Sequence, residues 1–194
     1  MKEAIIAVIL LAAIGSWVVF RARAQTPKPS DQAPTPKKNP AEAGWELRRL
    51  MLAAPPTKIG VAPTKDFPRV YGILMDWPLD GETLTVFSTC TGTASLYTTF
   101  SFGVIGGEFH DAVQAAAKNF VRAADHHFDA ATPTTDYPYP AADRVRFYLL
   151  TFDGVRVIDT DLVSVSNGSG KYAEFFMLGQ AVLTELRLIT EKPK

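Results

Sequence analysis

Hydrophobic and polar positions follow three rhythms along this chain. From Ala4 to Phe20 the sequence is almost wholly apolar (AIIAVILLAAIGSWVVF), interrupted only by Gly15 and Ser16. About 17 residues at a 1.5 Å rise give roughly 25 Å, enough to cross a hydrocarbon core as a helix. Gln25 to Pro40 (QTPKPSDQAPTPKKNP) has no period at all. Its prolines at 27, 29, 34, 36 and 40 forbid a helix and favour polyproline II, a semi-rigid spacer reaching on the order of 50 Å. Beyond it, periods of two and of three to four alternate, as in a folded domain.

Within residues 41–194 the pattern predicts eight elements. Ala41–Ala54 (with WELRRLMLAA) reads as a helix ended by Pro55-Pro56. Arg69–Trp77 is apolar on both faces, hence a central strand. Pro78-Leu79-Asp80-Gly81 turns the chain into an alternating strand from Thr83 to Ser88, and Thr91-Gly92-Thr93 into another from Ser95 to Phe102. Phe109, Val113, Ala117, Phe120, Ala124 and Phe128 mark one stripe of a helix. After a proline-bearing loop from Asp129 to Asp143, Arg144–Phe152 is a fourth strand. Asp153-Gly154, a strong hairpin signal, leads into a fifth at Val155–Ile158. Tyr172–Ile189 closes the domain as a helix with Phe175, Leu178, Val182, Leu186 and Ile189 inward.

The expected fold is therefore α+β in the order α-β-β-β-α-β-β-α. Short strand-to-strand links imply a largely antiparallel five-stranded sheet with the helices packed on one face. The domains read as a membrane anchor or signal segment at 1–24, a proline-rich linker at 25–40 and a single domain at 41–194.

Charge refines the placement. The 194 residues are formally neutral, with 20 Lys and Arg against 20 Asp and Glu. Residues 1–40 hold six basic and two acidic side chains, leaving 14 basic and 18 acidic for the rest, so the tail is +4 and the domain −4. A domain of mild negative charge is poorly suited to nucleic acid, whose phosphates require clustered Lys and Arg. Only Lys2 precedes the apolar run, offset by Glu3, whereas Arg21, Arg23, Lys28, Lys37 and Lys38 follow it. The positive-inside rule then predicts a single pass of a bacterial inner membrane through residues 4–20, with the domain facing the cytoplasm. Ala22-Arg23-Ala24 supplies the alternative, cleavage near Ala24 and export. With Cys90 the sole cysteine, no intramolecular disulfide can form, and stability rests on the apolar core.

Candidate chemistry is sparse. Gly103, Gly106 and Gly107 lie between a strand and a helix N-terminus, where free N–H groups and the helix dipole can hold an anion or small ligand. They lack the Lys-Ser/Thr of a phosphate loop and the spacing of a dinucleotide fingerprint, and glycines at a tight connection also serve positive φ. Adjacent His126 and His127 diverge by about 100° on a helix, which argues against a shared metal, and His110 lies at the far end of the same helix. Cys90 has no base beside it in sequence. Asp76, Asp80, Asp153, Asp159 and Asp161 sit at strand ends and turns, where Asp80 and Asp153 have turn chemistry. Asn167-Gly168-Ser169 matches a glycosylation sequon, relevant only to a eukaryotic secretory route. No cofactor is implied. Phe87, Tyr97 and Tyr148 are assigned to the sheet face away from the helices, with Tyr137 and Tyr139 in the loop before it. An uncovered aromatic face predicts pairing with a second copy or another protein.

The element order over residues 41–189 resembles the fold of type III secretion chaperones. That resemblance implies a protein-binding, often dimeric module and transfers no site residue. The stretches GVIGGEFHDAV and FYLLTFDGV are also similar to an uncharacterised bacterial family with no known activity. The resulting expectation is a membrane-tethered protein-interaction domain, chaperone-like or scaffolding. The alternative is a small-ligand sensor or enzyme built on the glycine-rich junction at Gly103–Gly107.

Overall fold

The computed structural model describes residues 40–100 and 103–191. The apolar run from Ala4 to Phe20 and the spacer up to residue 39 lie outside them. Pro40 is not linker but the first residue of α1 (Pro40–Ala53), a position where a missing N–H costs nothing. Pro55 precedes a single helical turn, α2 (Pro56–Ile59), which stops at Gly60 in the left-handed region (φ 75°).

Seven strands follow where five were expected. β1 (Val70–Leu79), β2 (Glu82–Thr89), β3 (Ala94–Thr98) and β4 (Gly103–Ile105) form a meander. After α3 (Asp111–His126) come β5 (Thr132–Thr134), β6 (Arg144–Thr151) and β7 (Gly154–Asp161). The sheet order is β4-β3-β2-β1-β6-β7-β5, with every pair antiparallel. The two extra strands are the two edges. Each is three residues long, and β5 carries Pro133, which an edge tolerates because one side of its ladder has no neighbour. Three residues are too few to show alternation, so the sequence pattern marks neither as a strand.

The tight turn between β1 and β2 has Asp80 at φ 52° and Gly81 at φ 83°, two successive left-handed residues. That primed geometry matches the right-handed twist of the flanking strands, and Asp-Gly is the pair that adopts it most readily. The chain leaves β7 through α4 (Leu162–Ser166), whose start is capped by Asp161: its carboxylate accepts the Ser164 N–H at 2.7 Å. α5 (Ala173–Glu191) ends the described chain.

Helices cover both faces, a second correction. On one face lie α3, through Val113, Ala117, Phe120, Val121 and Ala124, and α5, through Phe175, Phe176, Val182 and Leu186. They meet Ile73, Met75, Val86, Leu96, Phe147 and Leu149 of the sheet. Phe175 stacks on Phe147 at 4.6 Å between ring centroids and lies 5.1 Å from Phe120. On the other face α1 brings Leu52, with Leu47 and Met51, onto Tyr71, Leu74, Phe87, Tyr97, Tyr148 and Leu150. β1 is sandwiched between these layers, which explains a strand apolar on both sides.

Among the described residues no helix is long and apolar enough to cross a membrane. No described helix supports the expected single-pass, signal-anchored inner-membrane placement, and the run at residues 4–20 to which that expectation belongs lies outside the described residues.

Candidate functional site

A row of directly opposed residues crosses the sheet beneath α1. Tyr97 of β3 faces Thr85 of β2, Thr85 faces Asp76 of β1, Asp76 faces Arg146 of β6, and Arg146 faces Asp159 of β7. Arg48 of α1 descends onto its centre. Nε and Nη2 of Arg48 donate to Asp76 Oδ2 at 2.9 and 2.5 Å, Nη1 donates to the Tyr137 carbonyl at 2.9 Å, and the Thr85 hydroxyl donates to Asp76 Oδ1 at 2.5 Å. The guanidinium lies over the Tyr139 ring at 4.3 Å and near the Tyr148 ring at 5.3 Å. Burial pushes the Asp76 carboxyl above its ordinary range, against the pull of Arg48 and Thr85. At the end of the row Asp159 takes bonds from Arg146 (2.6 Å) and Arg144 (2.5 Å). Burial alone would raise its pKa, but those two arginines outweigh it and hold it low.

This network fixes where the five aromatic candidates stand. Phe87, Tyr97 and Tyr148 do lie on the sheet face away from α3 and α5, but they are buried there under α1. Tyr148 donates its hydroxyl to the Pro138 carbonyl at 2.6 Å and meets the Tyr137 ring edge-on at 5.8 Å. Tyr137 and Tyr139 are half-buried, folded down by these bonds. Tyr71, whose hydroxyl donates to the Ala54 carbonyl at 2.8 Å, has its pKa pushed up to about 12 by burial and by Tyr137. The face is occupied by the chain itself.

The glycine junction is shaped by packing. Gly106 is left-handed (φ 82°), and a Cβ on buried Gly107 would come within 2.5 Å of Val113 Cγ1 and 3.0 Å of Leu186 Cδ2. Gly107 lets the turn into α3 sit against both helices. Gly103 lies exposed in edge strand β4. Phe109, expected on the inner stripe of α3, belongs instead to a 3₁₀ turn at Gly107–Phe109 and is 87% exposed.

The remaining candidates are dispersed. Among the described residues no three His, Cys, Asp or Glu side chains gather as a metal site. His126 is exposed, whereas His127 packs on Phe175 (4.6 Å) and Tyr172 (5.3 Å). Burial, then Lys171 and His126, lower the His127 pKa. Cys90 is half-buried, and burial raises its thiol, the opposite of what a nucleophile needs.

A concave apolar surface lies at the other end of the α5 face. A cleft of about 530 Å³ opens between the β1–β2 turn, β3 and the last turns of α5. Leu84, Leu96 and Leu183 line it together with Leu79 and Phe100, and Asp80, Glu82, Arg187 and Glu191 stand among its polar positions. None of the three glycines contributes. Phe100 reads from sequence as an alternating strand position, but β3 ends at Thr98 and Phe100 is 63% exposed. Sequence reasoning missed this cleft because Leu84, Leu96 and Leu183 are ordinary apolar positions of separate elements, and only the fold brings them together.

No protein-family model, curated protein or solved structure matches this chain.

Proposed function

We propose that this domain is a protein-interaction module that grips a segment of another polypeptide in the cleft between the β1–β2 turn, β3 and the end of α5. One observation carries the reading. Phe100, a large apolar side chain, stands 63% exposed at a cleft that already contains Leu84, Leu96 and Leu183. Exposing such a side chain is unfavourable by about 25 cal/mol for each Å² left in water, and a partner relieves that cost. Leu79, another residue of the lining, is half exposed as well. Leucines and an aromatic side chain presented together suit an apolar segment of a partner chain laid across them.

The test is site-specific photocrosslinking. A photoreactive phenylalanine analogue at position 100 of the full-length chain is expected to yield a discrete adduct with an identifiable polypeptide in its native cell. The same analogue at exposed Asn119 on α3 should yield none. Equal labelling from both positions, or none from position 100, sinks the proposal.

A further inference from the structure

The rim of the cleft has a sign. Among the described residues that line it, Asp80, Glu82 and Glu191 stand with one cation, Arg187, an excess of two negative charges. Arg187 is already engaged, donating to Glu191 at 3.3 Å, and Glu82 accepts the Thr99 hydroxyl. Asp80 is different. It sits on the left-handed turn with its backbone held at φ 52°, exposed, and makes no ion pair among the described residues. The domain as a whole repeats this sign, with 14 basic against 18 acidic residues beyond position 40. Resting on the reading above, we infer that the polypeptide held in this cleft is cationic: bulky apolar side chains enter between Leu96, Leu183 and Phe100, and flanking Lys or Arg residues meet Asp80 and Glu191. An acidic segment of the same shape would place like charges together at the rim, which excludes it while apolar contact alone would not. Rim contacts of this kind are exposed and screened, so they set sign preference and salt dependence more than total affinity.

The experiment is a random-peptide display selection on the full-length chain, counter-selected on Phe100→Asp. Phe100 is an exposed residue, so this change blocks the cleft without emptying the core. Recovered peptides are then measured by fluorescence polarisation against wild type and against the double variant Asp80→Lys/Glu191→Lys. The expected peptides combine large apolar side chains with net positive charge. They bind the charge-reversed chain about ten-fold more weakly and lose affinity as salt is raised. Peptides that require Phe100 but are neutral or acidic, or that ignore the charge reversal, overturn the cationic inference and leave the cleft as a polypeptide site. Failure to recover any peptide that distinguishes wild type from Phe100→Asp overturns both.

Discussion

Arg48 of α1 and Asp76 of β1 are joined by a 2.5 Å contact between Nη2 and Oδ2, with side chains 5% and 0% exposed. A charge pair this deep is costly to desolvate, and each partner compensates a charge that would otherwise stand alone between α1 and the sheet. The same guanidinium holds the Tyr137 carbonyl, so a single side chain clamps helix, sheet and loop.

Replacing Arg48 with alanine strands the Asp76 carboxylate in the core. The expected loss is about 3–5 kcal/mol, read by urea denaturation. Arg48→Met combined with Asp76→Leu should recover most of it, short of a residue for the Tyr137 carbonyl and Thr85 hydroxyl left without their partner. A double variant as unstable as Arg48→Ala would show that the pair contributes packing rather than compensated charge.

Gly44 of α1 is the second fastening. A Cβ there would stand 2.5 Å from the Thr98 carbonyl oxygen, a backbone atom that cannot swing aside. Alanine normally improves a helix interior by about 1 kcal/mol over glycine. Gly44→Ala is nonetheless expected to destabilise by about 1–3 kcal/mol and to speed amide exchange in β2 and β3 beneath the helix. Unchanged exchange there, with a gain in stability, would contradict this placement of α1.

His127 gives the protein a stability slope at mildly acidic pH. Its folded pKa lies below the ordinary 6.5, so the unfolded chain binds the proton first as pH falls. This contribution is whole above about pH 6.5 and drains away as pH drops toward the folded value. His127→Phe, which keeps a ring against Phe175 and Tyr172, should flatten that part of the curve. A slope that persists in the variant assigns it elsewhere.

Asp159 acts lower on the scale. Its pKa is held down by Arg146 and Arg144, so its contribution is present above the unfolded value near 4 and lost as pH falls through the folded one. Asp159→Asn should remove part of the acid sensitivity while slightly lowering stability at neutral pH, followed by thermal melts from pH 7 downward.

Where a segment is long and strongly patterned, its sequence carries the fold directly. The stripe Val113, Ala117, Phe120, Ala124 and the apolar run through β1 correspond to α3 and to the central strand, and Arg144–Phe152 to β6. The shortfalls share one physical origin. Strands of three residues at β4 and β5 hold too few positions to display a period, so they take their structure from the neighbour they pair with. The WELRRLMLAA helix shows an apolar stripe but not which surface it will cover. Its choice of the second face is written in Arg48, which pairs with a residue 28 positions away. A lone Asp76 inside VYGILMDW was the available sign, because a carboxylate amid apolar strand residues calls for a cation from elsewhere. The cleft had no such sign.

The strand order has a further consequence. β1 pairs with β2, β2 with β3 and β3 with β4, β7 pairs with both β5 and β6, and the β1–β6 ladder from Val70–Thr151 to Asp76–Arg146 joins the two groups. The sheet is thus two locally assembled wings meeting at a single seam, with the switch of wing made near the short 3₁₀ turn Phe128–Ala130. A chain severed there retains within each piece all its hairpins and one of the two long helices facing α3–α5 packing. The separated pieces are expected to find one another and rebuild the seam, much as two half-zips engage along one row of teeth.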